Sequence, residues 1–315
     1  MSLKNAVGSA IVLAGPTAIG KTAVAVCLAK AFPEQIEVVS ADSIQVYRRF
    51  DIGSAKPDQA DREAVPFHLV DVAEPDQDFS LVDYQKMASE SIQSIVGRGK
   101  IPLVVGGTGL YIKSVTKGLG IPLAGPDEGI RAKYREIAIR DGAVCLHQLL
   151  VNVDVESARR IHANDNKRII RALEVFELTG RPLSVWHNED AQRQTLKPRK
   201  YFVLDRDRQQ LYSAIDRRAE EIFANGIVGE VETLRSSGYS QDLKPMMSLG
   251  YLQANRVVDG LLDLNEAIEL TKVATHQYAR RQLIWFRGEP DTTWIDTENS
   301  SVTDIANKLA QAIGL

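Results

Sequence analysis

Cysteine is scarce in this chain, with only Cys27 and Cys145 among 315 residues. The pair has no metal-ligand spacing, which excludes a thiolate metal centre, and both lie in apolar helical contexts. Buried thiols in a reducing compartment are therefore the expectation. Long hydrophobic runs are lacking too. The opening MSLKNAVGS is short and mixed, and the first apolar run breaks at a glycine-containing loop. Neither a secretory signal nor a membrane span is expected, and a cytoplasmic location follows. There is no excess of positive charge: 38 Lys and Arg stand against 41 Asp and Glu, for a net charge of -3. Binding of nucleic acid by a generally basic surface is excluded, so any such site must be a local patch. Repeats and low-complexity segments are absent. What remains is an ordinary globular composition, 44% hydrophobic and 25% charged, long enough for one large domain with an insertion or for two domains.

The most specific feature is Gly15-Pro16-Thr17-Ala18-Ile19-Gly20-Lys21-Thr22, which fits the phosphate-loop pattern G-x-x-x-x-G-K-[ST] at every fixed position. It follows an apolar strand pattern, Ser9 to Ala14, and precedes an apolar helical pattern, Ala23 to Ala31. Glycines let the backbone curl around an anion, and the helix start directs N–H groups toward it. Lys21 adds a full positive charge, and the Thr22 hydroxyl suits Mg²⁺. A bare Gly-Pro turn would not need this flanking pattern. A phosphorylated ligand is implied, but not its identity.

Strand-like runs recur at Ile36–Ser40, Ile101–Val105, Lys200–Asp205 and Thr292–Asp296, with helical patterns between them, among them Leu81–Val96 and Leu264–Arg287. Such alternation predicts a P-loop NTPase-like α/β fold, a parallel sheet covered by helices on both faces. Its ligands should lie beyond the carboxyl ends of the strands, where the phosphate loop, Asp42 and Thr108 all fall. Residues 120–129 read as a Gly/Pro-rich connection, and 130–179 as helices ending at Gly180-Arg181-Pro182. The predicted organisation is a catalytic core from 1–117 and 200–315, with a mostly helical insertion domain over 118–199.

Asp42, after the second strand, suits a general base or a Mg²⁺ ligand, and equally a loop aspartate capping the next turn. Thr108, in Gly106-Gly107-Thr108-Gly109, either faces the crevice or caps the next helix. Arg217-Arg218 offers a charge clamp or a surface ion pair. Basic residues cluster in and just after the insertion (Arg159, Arg160, Lys167, Arg168, Arg171, Arg181, Arg193, Lys197, Arg199 and Lys200), with fewer acids among them. A second group is Lys272, Arg280, Arg281 and Arg287. In a net acidic chain these asymmetries favour contact with a phosphate backbone over a merely solvated face. Tyr278, Trp285 and Phe286 can stack on a base or serve as core.

Seven stretches together resemble the tRNA dimethylallyltransferases (tRNA isopentenyltransferases) of the shorter bacterial type: GPTAIGKT, SADSIQVYRRFDIGSAKP, FHLVDVAEP, VVGGTGLYI, DNKRIIRALEVFELTGRPLS, SLGY and THQYARRQLIWFR. The resemblance covers nearly the whole chain. It implies transfer of a dimethylallyl group from dimethylallyl diphosphate to N6 of adenosine 37, beside the tRNA anticodon. The loop Gly15 to Thr22 would then hold diphosphate. Lys21, Arg218 and Mg²⁺ on Thr22 would offset charge on the leaving group. Asp42 would accept the N6 proton, with Thr108 beside it. The family match implies tRNA contacts at Asp42, Ser43, Ile44, Gln45 and Thr108. It also implies them at Lys167, Arg168, Ile169, Ile170 and Arg171 in the insertion, and at Met247, Ser248, Gly250, Tyr251, His276, Arg280 and Arg281. A monomer acting on the anticodon stem-loop, away from any membrane, is expected.

The chain departs from the family pattern at Ile19, Asn166, Leu252 and His276, where a small residue, a proline, a basic residue and an arginine are usual. A transferase acting on free AMP, ADP or ATP would share the core but has little use for the basic insertion. A small-molecule kinase would need an arginine lid and an adenine pocket. A tRNA-binding protein without chemistry would not need Lys21, Thr22 and Asp42.

Overall fold

Short aliphatic runs with no polar face become strands only where both sides of a sheet are covered. In the computed structural model, which describes residues 3–117, 125, 127–192 and 197–315, four such runs form the centre of one sheet. The chain begins with α1 (Leu3–Gly8), β1 (Ile11–Ala14), α2 (Lys21–Ala31), β2 (Ile36–Ser40), α3 (Gln59–Ala64), β3 (Phe67–His68), α4 (Leu81–Gly97), β4 (Ile101–Gly106) and α5 (Gly109–Lys117). Five helices follow: α6 (Glu128–Arg140), α7 (Gly142–Val153), α8 (Val155–Arg160), α9 (Asn166–Thr179) and α10 (Leu183–Gln192). The chain then forms β5 (Lys200–Asp205), α11 (Arg208–Ala224), α12 (Ile227–Ser236), α13 (Tyr251–Val258), α14 (Leu264–Arg287), β6 (Thr293–Asp296) and α15 (Val302–Ile313).

Two compact units result. One comprises residues 1–79, 83–116 and 196–315, and the other comprises 80–82 and 117–195. Most of the 120–129 connection, and Arg193, lie outside the described residues. Among the described residues, no helix is long and apolar enough to cross a membrane.

The first unit holds a six-stranded sheet in the order β3-β2-β4-β1-β5-β6, and every pairing is parallel. The register aligns Ala14 with Gly106 and Ser40 with Val105. The loops leaving β1, β2 and β4 therefore emerge side by side at one edge. Ile11 and Leu13 of β1, Leu28 of α2 and Leu309 of α15 share one buried cluster. Each such side chain contributes roughly 1.5–3 kcal/mol by leaving water. The two-residue β3, α1 and α15 were not read from the sequence. α15 starts at a capping box in which Ser301 and Asp304 bond each other's backbone N–H groups.

The second unit is helical among its described residues. Leu146 and Leu150 of α7 pack with Ile169, Ile170 and Leu173 of α9. Glu174, fully buried, is held by Arg131 (2.8 Å), by Arg171 (2.7 Å) and by the Asp127 N–H. Helix α9 ends at Gly180 with φ +68°, the expected left-handed C-cap. Cys145 is exposed, contrary to the expectation of two buried thiols, and Cys27 is half-buried.

Gly106 shows how closely β2 and β4 approach at the functional edge. A Cβ built there would lie 2.1 Å from the Ala41 carbonyl oxygen. Backbone cannot yield as a flexible side chain can, so Gly106→Ala is expected to destabilise the protein by roughly 3 kcal/mol or more. A fall in the urea midpoint at unchanged slope would show it.

Candidate active site

The phosphate loop joins β1 to α2 and ends at Gly20, whose φ of +95° turns the chain into the helix with no side chain capping it. The first N–H groups of α2 are thus left without a side-chain acceptor, an arrangement suited to an anion. Lys21, the first residue of α2, arches back and donates to the Pro16 carbonyl oxygen at 2.6 Å. Its pKa is lowered to about 7, first by burial and then by the positive charge of Arg218, with Asp42 opposing both.

Asp42 sits in the loop after β2. Its Oδ1 accepts from the Ile44 N–H (2.8 Å) and the Gln45 N–H (3.2 Å), so the capping role read from the sequence is present. Among the described residues Oδ2 has no hydrogen-bond partner, so capping leaves half of the carboxylate uncommitted. Thr108, at the end of β4, accepts from the Ser43 N–H at 3.2 Å and thereby ties the β4 loop to the Asp42 loop. Arg218, one face of α11, lies 3.5 Å from the Ser54 carbonyl oxygen. Burial lowers its pKa, against the opposing attraction of Asp42. Its neighbour Arg217 is exposed.

These groups enclose two adjoining cavities. A small one, about 70 Å³, is lined by Thr17, Lys21, Thr22, Asp42 and Arg218 among others. A larger one, about 300 Å³, is lined by Ile44, Ile215, Ile222, Met247, Tyr278 and Arg281 among others. Thr17, Asp42, Ser54, Arg218 and Tyr278 line both. The small cavity is cationic and polar; the large one adds apolar walls. Together they suit a charged head and an apolar or aromatic body.

Helix α14 forms one wall through Thr271, Thr275, Tyr278 and Gln282, spaced as one helical face. Gln282 was missed from the sequence. Its i+4 spacing from Tyr278, which puts both on one helix face, is the only trace of it in the sequence. The loop after β2 is braced by Lys56, whose ammonium is buried between Asp51 (2.7 Å) and Asp71 (2.6 Å). Gln45 is itself buried, and it is hydrogen-bonded to Ser40, Ser54 and Ala55.

The remaining sequence-predicted residues divide by environment. Ser43, Ile44, Met247 and Ser248 line the large cavity, and Gly250 is the N-cap of α13. Tyr251 is fully buried, with its hydroxyl accepting from the Gly53 N–H (3.1 Å) and donating to Glu230. Arg281 lies over the Tyr278 ring at 5.8 Å, and Arg280 is exposed. His276 stacks on Tyr212 with Nε2 2.8 Å from Asp216. In the second unit Lys167 and Arg168 are exposed, whereas Ile169 and Ile170 are buried in that unit's core. Part of the sequence's positive charge is matched within the fold, since Lys272 pairs with Glu220 and Glu269, and Arg181 with Glu189.

A family model described as IPP transferase matches residues 45–289, and one described as isopentenyl transferase matches residues 8–66. The tRNA dimethylallyltransferase of Syntrophobacter fumaroxidans is 44% identical over 294 residues, covering 92% of this chain and 84% of the relative. That of Geobacter sulfurreducens is 44% identical over 304 residues, covering 95% and 96%. Among solved structures, the full-length tRNA isopentenylpyrophosphate transferase of Bacillus halodurans superposes with a TM-score of 0.67 at 34% identity and 96% coverage of both chains. A eukaryotic dimethylallyltransferase acting on tRNA gives a TM-score of 0.77 at 25% identity, covering 96% of this chain and 77% of that one.

The depressed Lys21 pKa has a consequence for stability. Between about pH 7 and the ordinary lysine range near 10.5 the unfolded chain binds more protons at this position, so its contribution to stability rises with pH. Lys21→Met is therefore expected to raise the melting temperature of the ligand-free protein at pH 6 by at least roughly 2–4 °C, the shift that 1 kcal/mol gives a domain of this order of size. The gain should fade as pH rises from 7 toward 10.5. Melting curves of both proteins across that range test it.

Proposed function

This chain belongs to the IPP transferase family, and from that premise we propose that it transfers a dimethylallyl group from dimethylallyl diphosphate to N6 of an adenosine in tRNA, at position 37 beside the anticodon. The observation that carries this reading is the shared wall of the two cavities, where Asp42 stands between the cationic phosphate loop and a cavity large enough for a base.

The phosphate-loop amides, Lys21 and Arg218 hold the diphosphate and offset the charge that grows as the carbon–oxygen bond breaks. The N6 lone pair forms the new bond to the allylic carbon, the bonding pair departs on diphosphate, and the N6 proton passes to the Asp42 carboxylate. Asp42 can accept it because Oδ1 is committed to the Ile44 and Gln45 N–H groups while Oδ2 is not. Thr108 keeps that loop in place through Ser43.

The Thr22 hydroxyl is an oxygen donor lining the small cavity beside Lys21, while Asp42 is kept for the proton. That sparse, hard donor set fits Mg²⁺, which takes its remaining ligands from phosphate and water. Bound there, the ion would add positive charge beside the leaving group. The exposed Lys167 and Arg168 of the insertion, rather than the buried Ile169 and Ile170, would meet the RNA backbone. A target adenine must leave its stack to enter the larger cavity.

With Mg²⁺ and labelled dimethylallyl diphosphate, label is expected on an anticodon stem-loop and not on free AMP. Label on AMP alone would replace the reading by a free-nucleotide transferase. Asp42→Asn should lower single-turnover prenyl transfer by roughly 10²–10⁴-fold while retaining RNA affinity. Near-normal transfer would remove Asp42 as the base. Replacing Lys167 and Arg168 together by alanine should weaken stem-loop binding and reduce the slope of log K against log salt by about 1–2. Fluorescence anisotropy over a salt series reads both quantities.

A further inference from the structure

One buried carboxamide spans the two loops on which the proposed reaction depends. Gln282 of α14 accepts from the Thr17 N–H of the phosphate loop at 2.9 Å, and its Nε2 donates to the Gly107 carbonyl oxygen at 2.9 Å. The side chain is 6% exposed. The fit leaves no slack, because a Cβ on Gly107 would lie 2.2 Å from the Gln282 nitrogen. The paired glycines of the β4 loop therefore admit α14, with Gly107 accommodating Gln282 and Gly109 accommodating Trp285.

One helical turn earlier, Tyr278 lines both cavities, with Thr108 and Gln282 beside its hydroxyl. Burial, with the nearby negative charge of Asp42, pushes this phenol up to about 12, so it stays protonated through the physiological range. Gln282 thus ties Thr17 to Gly107, and Thr108, the next residue of the chain, ties the β4 loop to Ser43 and the Asp42 loop.

We propose that Gln282 is a positioning residue that sets the distance between the diphosphate cradle and the loop bearing the proton acceptor, acting through Gly107 and the adjoining Thr108. The proposal rests on the reaction assigned above. Gln282 does not touch the reacting atoms; it fixes two backbone segments that do. Displacing such segments by about 1 Å costs on the order of 10²-fold in rate.

The test uses the full-length protein and two substitutions that preserve volume. Gln282→Met removes both hydrogen bonds, and Tyr278→Phe removes only the hydroxyl. Single-turnover transfer to a stem-loop, calorimetric affinity for inorganic diphosphate and stem-loop affinity are measured for each. For Gln282→Met the expectation is a roughly 10–100-fold slower chemical step and about 10-fold weaker diphosphate binding, with stem-loop affinity within twofold of the original. Tyr278→Phe, which leaves both Gln282 hydrogen bonds in place, should change the rate and the diphosphate affinity less than Gln282→Met does.

A Gln282→Met protein that keeps both rate and diphosphate affinity within about threefold overturns the proposal. So does a parallel loss of all three readouts with a collapsed melting temperature, the signature of core damage. If that variant does not fold, Gln282→Asn, which keeps the amide but is one methylene too short to reach both loops, decides, and an unchanged rate and diphosphate affinity reject the alignment. Failure of the unsubstituted protein to prenylate RNA would count against the assigned reaction, whereas the diphosphate arm would still report on Gln282.

Discussion

Two cations crowd one small cavity, and the energetic cost of holding them there is what the surrounding structure must sustain. Burial strips water from Lys21 and Arg218, and Arg218 further lowers the Lys21 pKa. Asp42 is the nearby negative charge acting on both. A free protein arranged in this way carries an unsatisfied electrostatic demand that an anion of high charge relieves. Donors held in place beforehand need no reorganisation when charge develops on a departing diphosphate. The stability expected from neutralising Lys21 and the catalysis expected from keeping it are therefore two faces of one interaction.

Only a stiff frame holds like charges together, and the parallel sheet provides it. Strands β1 and β2 flank β4, so the loops leaving them each begin one strand spacing from the loop leaving β4. Gly106 lets β4 lie against Ala41 without a side chain between them. Behind the Asp42 loop, Tyr84 stacks on Tyr111 with ring centroids 3.9 Å apart and donates to the Ser40 carbonyl oxygen at 3.1 Å. On the far side, Tyr251, Glu230 and Lys56 hold residues 51–56 by their backbone and side chains. The Ser54 carbonyl beside Arg218 belongs to that braced segment. The cations are thus confined by covalent loops whose ends the sheet and helices have already immobilised.

Local pattern made much of this legible in the sequence. Lys200–Asp205 and Leu264–Arg287 are found with the bounds that the sequence implies, the first as a short apolar run rich in β-forming residues and the second as a long amphipathic pattern. The phosphate loop, Asp42 and Thr108 follow strands, and parallel topology alone brings them to one edge. Tyr278 is singled out in the sequence as a stacking or core aromatic, whereas Gln282 was harder because it lies within a 24-residue helix, where one polar side chain among many does not reveal that it faces another element. The two-residue β3 carries too little period to read, and its pairing with β2 is a tertiary event. In the insertion, spacing identified a basic helix but not its orientation. Packing on α7 turns Ile169 and Ile170 inward and leaves Lys167 and Arg168 outward.

The form of the larger cavity bears on which acceptor it serves. Its deeper wall is built from Ile215, Ala219, Ile222 and Tyr278, a lining suited to an aromatic base and an allyl chain. Its rim includes Met247, about half exposed, and Arg281, which is exposed beside Tyr278. A nucleotide-sized substrate gains most when the protein closes around it and water is excluded by the protein alone. A base delivered by a large RNA brings its own neighbours to cover the opening, so an apolar methionine and an arginine left at the rim have a surface to meet. The depth of this cavity is supplied by α11 and α14, while its mouth is left open for the substrate to cover. That division matches a reaction in which the acceptor is one residue of a macromolecule, and it accounts for an open mouth above a rigid, highly charged floor.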